Sequence, residues 1–189
     1  MTRSDPVLTL VLAATVVFAG CDTAPGRAAS GDTSRSAPAT PAAPTVTERG
    51  IGPLRASMTM SEASVALGSA LTAPAGGDTA SCHYVQWRGG PSGVRVMVEG
   101  GRIARVDIDS GGVHTAAGAG IGSAEDEIQR LYRGQVAVTP QKYANGHYLT
   151  VTPDPTDSAY AIVFETTDGR VTRYRAGRRP QVEYVEGCG

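Results

Sequence analysis

One six-residue pattern occurs twice in this chain, each time where a glycine separates two stretches of alternating apolar residues. Residues 101–106 read Gly-Arg-Ile-Ala-Arg-Val, and residues 169–174 read Gly-Arg-Val-Thr-Arg-Tyr. Glycine between two such stretches is typical of a β-hairpin, and the Asp-Gly dipeptide at 168–169 is a strong hairpin indicator. The sequence therefore predicts two antiparallel hairpins, over about 94–106 and 161–174.

A short helix is predicted before each hairpin. The first begins near Thr59, which can form a capping box with Glu62, and the second begins near Ser123, which can form a weaker version with Asp126. Each helix has a small apolar face, so we expect both to be stable only when packed.

The order of helix, strand and hairpin is thus predicted twice. The strand after each helix opens with His-Tyr, at 83–84 and at 147–148. Units of about 51–112 and 115–189 predict an α+β fold, in which two helix-plus-antiparallel-strand repeats form one sheet with helices on one face. The other face would be solvated, and we expect a last strand over 181–186.

The N-terminus resembles a bacterial lipoprotein signal peptide. Residues 6–20 are almost entirely apolar but too few to span a membrane as a helix, and they end in Ala-Gly before Cys21. This ending predicts that residues 1–20 are removed and that the thiol of Cys21 carries a lipid anchor. The alternative is ordinary secretion with cleavage elsewhere. Residues 21–47 would then be a lipidated cysteine and a disordered linker, because Ala, Pro, Ser and Thr dominate there, and residues 48–189 would be the domain.

The chain has three cysteines, which is an odd number for an exported protein. Lipidation of Cys21 leaves Cys82 and Cys188, for which a disulfide is the expected state in an oxidising compartment. A metal site or a catalytic thiol at these two positions is the alternative, but the close His/Cys spacing that such sites need is missing.

The order of elements resembles that of two kinds of exported bacterial protein, the β-lactamase inhibitor protein and the small lipoprotein of the outer-membrane β-barrel assembly machine. The resemblance is carried by the helix start at 58–62, by Leu67 and Gly68 at the helix end, and by the paired strands. The closing Glu-Gly-Cys at 186–188 also resembles a class of uncharacterised bacterial lipoproteins. The resemblance implies a fold rather than a function. The inhibitor has a local disulfide in each unit, whereas the two cysteines here fall in different units, which argues against lactamase binding.

Few patterns in the sequence indicate chemistry. The formal net charge is −1, which gives no electrostatic case for nucleic acid binding. The histidines His83, His114 and His147 lack metal-ligand spacing and are predicted to be strand residues. Asp107 and Asp109 alternate on one strand face, where a solvent-facing edge is the simple interpretation and a metal or acid/base site is the alternative. We therefore predict no catalytic residues, no metal and no cofactor.

Arginine and aromatic residues indicate an interaction surface, since Tyr, Trp and Arg often anchor protein interfaces. The candidate partner-binding face consists of Trp87, Tyr148, Arg170, Arg173, Tyr174 and Arg175. The competing interpretation is that the aromatics belong to the core and the arginines to a solvated rim.

These patterns predict a lipid-anchored cell-envelope protein, tethered to the inner or outer membrane with its domain outside the cytoplasm. It would bind another envelope protein, or act in envelope assembly, without catalysis. The alternative is an envelope hydrolase or a small-ligand or metal-binding protein that uses the histidines or the two aspartates.

Overall fold

Alternating apolar residues form the dominant element of the fold, an eight-stranded antiparallel sheet. The computed structural model describes residues 43–73, 81–142 and 144–188, so the predicted signal peptide, Cys21 and most of the linker lie outside the described residues. In chain order the elements are β1 (Val46–Thr47), β2 (Gly50–Ile51), β3 (Leu54–Arg55), α1 (Met60–Leu67), β4 (Leu71–Thr72), β5 (Cys82–Trp87), β6 (Val94–Glu99), β7 (Arg102–Ile108), α2 (Glu125–Leu131), β8 (Val136–Pro140), β9 (His147–Val151), β10 (Tyr160–Thr167), β11 (Arg170–Arg178) and a 3-10 helix (Gln181–Glu183).

The large sheet has the strand order β4-β5-β6-β7-β11-β10-β9-β8. It consists of two consecutive four-stranded meanders, joined in the middle by antiparallel pairing of β7 with β11. Both predicted hairpins are confirmed, as β6–β7 and β10–β11. Asp168 and Gly169 in the second turn have φ angles of 51° and 75°, which explains why an Asp-Gly pair occupies it.

The predicted fold class, an α+β arrangement of two helix-plus-antiparallel-strand repeats in one sheet, is wrong. The described part of the chain is mostly antiparallel strand, with two short α-helices and a separate three-stranded sheet of β1, β2 and β3. The physical reason lies in how little the helices bury, since Ala63 is the buried residue of α1 and Ile128 that of α2. Two such faces cannot cover an eight-stranded sheet.

The three-stranded sheet supplies apolar surface that the helices lack. Val46, Ile51 and Leu54 are fully buried and belong to the same core as the large sheet. Each of its strands is only two residues long, so the sequence gives no alternating pattern from which to predict them. The ordered structure therefore already includes Val46 and Thr47, at the end of the predicted linker.

The starts of the two helices differ. In α1 the capping box is confirmed, because the Thr59 hydroxyl accepts from the Glu62 amide at 3.2 Å and the Glu62 carboxylate accepts from the Thr59 amide at 2.8 Å. The weaker box predicted at α2 does not form. Ala124 is the N-cap there, and the Ser123 hydroxyl accepts instead from the Gly120 amide at 3.3 Å.

The end of the chain also differs from the expectation of a last strand over 181–186. Residues 181–183 form the 3-10 helix, and the following residues have no strand pairing. Both sides of β11 are already paired, with β10 and β7, so no strand position is open beside it. The chain instead crosses the sheet face that points away from the main core, and this face is not simply solvated as predicted.

Candidate functional site

Strand alternation separates the residues of the candidate partner-binding face onto opposite sides of the sheet. Tyr174 lies in the main core, where its hydroxyl donates to the Val113 carbonyl at 2.8 Å, and burial raises its pKa. Trp87 packs against the same core, and its indole nitrogen donates to the Ser69 hydroxyl at 3.1 Å. These two aromatics therefore do not share a surface with the neighbouring arginines.

Arg170 has a local structural role. Its guanidinium donates to the Gly122 carbonyl at 2.9 Å. Arg102, at the equivalent position of the first hairpin, donates to the Ser57 carbonyl at 2.8 Å. Each of these carbonyls lies two residues before the N-cap of a helix. Arg102 therefore connects the first hairpin turn to the start of α1, and Arg170 connects the second hairpin turn to the start of α2.

The remaining three residues, Tyr148, Arg173 and Arg175, lie on the side of the large sheet opposite the main core, which we call the outer face. Cross-strand register sets their neighbours: β7 and β11 place Asp107 opposite Arg175, and β10 and β11 place Glu165 opposite Arg173. The outer face also carries Tyr84, Arg95, Met97, Arg105, Val163 and Thr150.

Arg105 is the most highly connected side chain of the outer face and is almost fully buried. Its Nε donates to Asp107 Oδ2 at 3.0 Å, and its Nη2 lies 2.9 Å from Asp107 Oδ1, which makes the pair bidentate. Nη1 donates to the carbonyls of Gln181 and Tyr184, and Nη2 donates to the Tyr84 hydroxyl. Arg105 thus holds the sheet and the end of the chain together.

Burial affects the protonation of the two titratable side chains that accept from Arg105, Asp107 and Tyr84. It raises the pKa of Asp107, against the opposing effect of the Arg105 guanidinium. Burial likewise raises the pKa of the Tyr84 hydroxyl, an effect to which the nearby charge of Asp107 adds.

A second buried ion pair lies beside the first. Arg175 pairs with Glu165, and its Nε donates to the Val182 carbonyl. Arg173 lies 3.1 Å from the other oxygen of Glu165, but its side chain is 61% exposed. One carboxylate therefore joins a buried arginine to an accessible one.

The end of the chain covers the centre of the outer face. We call residues 179–188 the C-terminal segment. Val182 is fully buried against Ala161 and Val163 in a small second apolar cluster, and the last described residue, Cys188, is disulfide-bonded to Cys82 across a Cα–Cα distance of 5.4 Å. The segment is thus fixed at its start, by apolar packing, and at its end, by a covalent bond.

Two pockets flank the C-terminal segment, and both contact Arg175 and Val185. One has a volume of about 120 Å³ and is lined mainly by charged groups, among them Arg95, Asp107 and Arg173. The other is about 220 Å³ and is lined by Tyr148, Thr150 and Val163 among others. The C-terminal segment therefore leaves two accessible parts of the outer face, one charged and one mixed.

The simple interpretation of Asp107 and Asp109 needs correction. Asp107 lies on β7, in the middle of the sheet, and is buried beside Arg105 rather than solvated at an edge. Asp109 follows β7, is accessible, and lies 3.2 Å from Arg95 Nε. The guanidinium of Arg95 in turn lies 4.7 Å from the centre of the Tyr84 ring.

The histidines lie in separate environments. The Nδ1 of His147 is 2.9 Å from Glu125, at the start of α2, and that of His114 is 2.9 Å from the Gly112 carbonyl. His83 lies on β5. Within residues 43–73, 81–142 and 144–188 there is no group of three or more His, Cys, Asp or Glu residues that could hold a metal ion.

Four residues of the site are not among those predicted from the sequence, namely Tyr84, Arg95, Arg105 and Glu165. One indication was available, because Arg105, Asp107 and Asp109 follow at intervals of two, as Arg173 and Arg175 do. Such spacing places charges on one face of a strand. The missing information was that β7 and β11 are direct neighbours.

Comparison of the chain with protein-family models, with curated proteins and with solved structures finds no match. No helix in the described part of the chain is long and apolar enough to cross a membrane.

Proposed function

We propose that this protein is a lipid-anchored cell-envelope protein that binds another envelope protein through the accessible parts of its outer face, without catalysis. The observation that carries the proposal is the set of arginines and tyrosines beside the C-terminal segment. Arg95 and Arg173 are accessible, and Arg95 lies over the Tyr84 ring. Such residues contribute strongly to protein interfaces.

The rigidity of the surroundings supports this proposal. Arg95 and Arg173 project from neighbouring meanders of one sheet, and each has an acidic partner that restrains it, Asp109 and Glu165 respectively. A restrained side chain loses less conformational entropy when it binds, so a partner gains more from contacting it. The face needs no large rearrangement to be recognised.

Affinity capture from native membranes tests the interaction. The full-length chain, extracted in mild detergent, should retain a partner that the double variant Arg95→Ala, Arg173→Ala loses. Arg133→Ala is the matched control, because Arg133 is an exposed arginine that follows α2, away from the outer face. Equal recovery of the partner with all three proteins would refute binding through this face.

The lipid anchor has its own test, which does not depend on the partner. Intact mass spectrometry of the protein from native membranes should give a mature chain that begins at Cys21 and carries acyl chains. A mature mass without added lipid would contradict the proposed anchoring.

A further inference from the structure

Among the residues that the structure describes, no strand pairs with the outer edge of β8, which we call the free edge. The strand is the last one of the large sheet and pairs with β9. The Gln135 carbonyl accepts from the Thr152 amide at 3.0 Å, and the Gln141 amide donates to the Gly146 carbonyl at 2.9 Å. Because ladder hydrogen bonds in an antiparallel pair fall on alternate residues, the bonds to β9 belong to the odd-numbered residues of β8.

The amides and carbonyls of Val136 and Val138 therefore point away from β9. No hydrogen bond links these groups to any other residue that the structure describes. Pro140 occupies the next outward position, where the absence of an N–H group costs the sheet nothing. The free edge thus has an unpaired N–H and an unpaired carbonyl at each of Val136 and Val138, and it ends at Pro140.

The composition of this edge suits pairing with itself. Residues 134–141 contain no charged side chain. A two-fold axis brings each residue close to its own counterpart, so a charge on the strand would meet a like charge. Natural edge strands that avoid pairing commonly carry such charges, and β8 carries none. Val138 is also 44% exposed and would gain an apolar neighbour.

We propose that β8 pairs with β8 of a second copy of this chain, antiparallel, about a two-fold axis at Ala137. In this register Val136 of each copy lies opposite Val138 of the other copy. Each of these two residue pairs exchanges two N–H···O=C hydrogen bonds, which gives four in total. Pro140 lies opposite Gly134, which has no side chain and precedes β8, so the carbonyl that faces the proline without a donor lies outside the strand. A register centred on Val138 would instead leave the carbonyl of each Val136 opposite a proline, without a donor.

Cysteine trapping tests the register directly. At the axis Ala137 faces its own counterpart in a non-hydrogen-bonded pair, in which Cβ atoms lie about 4.5–5.5 Å apart, near the separation that a disulfide needs. In Thr139→Cys the two thiols would be four residues apart along the strand, about 14 Å. Both residues are exposed and lie on the same side of β8, so Thr139→Cys is the matched control for Ala137→Cys.

Full-length protein in native membranes is oxidised, and dimers are measured on non-reducing gels. We expect Ala137→Cys to form a covalent dimer at least ten times faster than Thr139→Cys or the unmodified chain. Equal rates for the two variants, or no dimer from Ala137→Cys, would overturn the proposal.

A second substitution tests the hydrogen bonds. Val138→Pro in the Ala137→Cys background removes an outward N–H that β9 does not use, and it should slow trapping at least tenfold without lowering the melting temperature. If the proline variant has a lower melting temperature, Val138→Lys is tested in its place, because the lysine places like charges on the two copies beside the two-fold axis. Unchanged trapping in a folded variant would show that the free edge is not the contact.

Discussion

Replacing Arg105 by methionine should destabilise the protein by about 3–5 kcal/mol near neutral pH, the usual cost of removing one partner of a buried ion pair. The change leaves Asp107 buried without its counterion. It also removes the Arg105 donor from the carbonyls of Gln181 and Tyr184, of which the Gln181 carbonyl keeps one bond, from the Tyr184 amide at 3.2 Å. For a domain of this size, such a loss corresponds to a decrease in melting temperature of roughly 10 °C.

The loss of stability in Arg105→Met should depend on pH. Burial already raises the pKa of Asp107 in the folded protein, and removal of the guanidinium should raise this pKa further. A carboxyl whose pKa is raised on folding binds more protons in the folded than in the unfolded state. Stability therefore falls as the pH rises from the unfolded-state pKa through the folded-state pKa. The deficit of the variant should accordingly be smaller near pH 5 than near pH 8.

Urea unfolding of both proteins at the two pH values measures this effect. The double variant Arg105→Met, Asp107→Leu is the control, because it removes both charges and should recover about 2 kcal/mol or more of the loss. A deficit below about 1 kcal/mol would refute Arg105 as a main link between the sheet and the C-terminal segment. An equal deficit at both pH values would refute the buried Asp107 carboxylate as a cause of the loss.

Three further predictions concern other parts of the fold. Cys188→Ser removes the disulfide to Cys82, which closes a loop with a sequence separation of 106. It should lower the free energy of unfolding by up to about 4.7 kcal/mol, measured with urea, and a decrease below about 1 kcal/mol would contradict a stabilising role. Thr59→Ala removes the N-cap of α1 and should lower the free energy of unfolding by about 1 kcal/mol, and an unchanged value would mean that the capping box contributes nothing. Gly177→Ala places a Cβ against the Ala104 carbonyl and should destabilise by about 1–3 kcal/mol, whereas full stability would indicate that β7 and β11 can separate without cost.

The hairpins could be predicted from the sequence because their determinants are local. The turn at Asp168 and Gly169 requires positive φ angles, and alternation marks the strands on both sides. The capping box at Thr59 and Glu62 was predictable for the same reason, since all its contacts lie within four residues.

The faces of the strands could not be predicted as readily, because bulges change the alternation. Ala104 is an extra residue in β7, between the pairs Met97 with Arg105 and Val98 with Ile103. Residues 104 and 105 therefore do not follow the simple alternation that begins at Ile103. A second bulge makes Thr172 an extra residue in β11, between the pairs Glu165 with Arg173 and Thr166 with Val171.

Contacts between distant residues were also beyond prediction. The C-terminal segment covers the outer face because Arg105 and Arg175 bind its carbonyls, and nothing in the composition of residues 179–188 indicates that contact. Asp107, which was expected at the surface, is buried beside Arg105. The C-terminal segment also divides the outer face into two accessible parts.

The most direct measurement of the central claim, that the outer face binds another envelope protein, is site-specific photocrosslinking in native membranes. A photoreactive residue replaces Thr150, which lines the mixed pocket on the outer face, or Val65, which is 80% exposed on α1 at the opposite side of the sheet. We predict a discrete crosslinked protein from position 150 that is absent from position 65 and is lost when Arg95 and Arg173 are replaced by alanine. The same crosslinks from both positions, or none from position 150, would contradict the account.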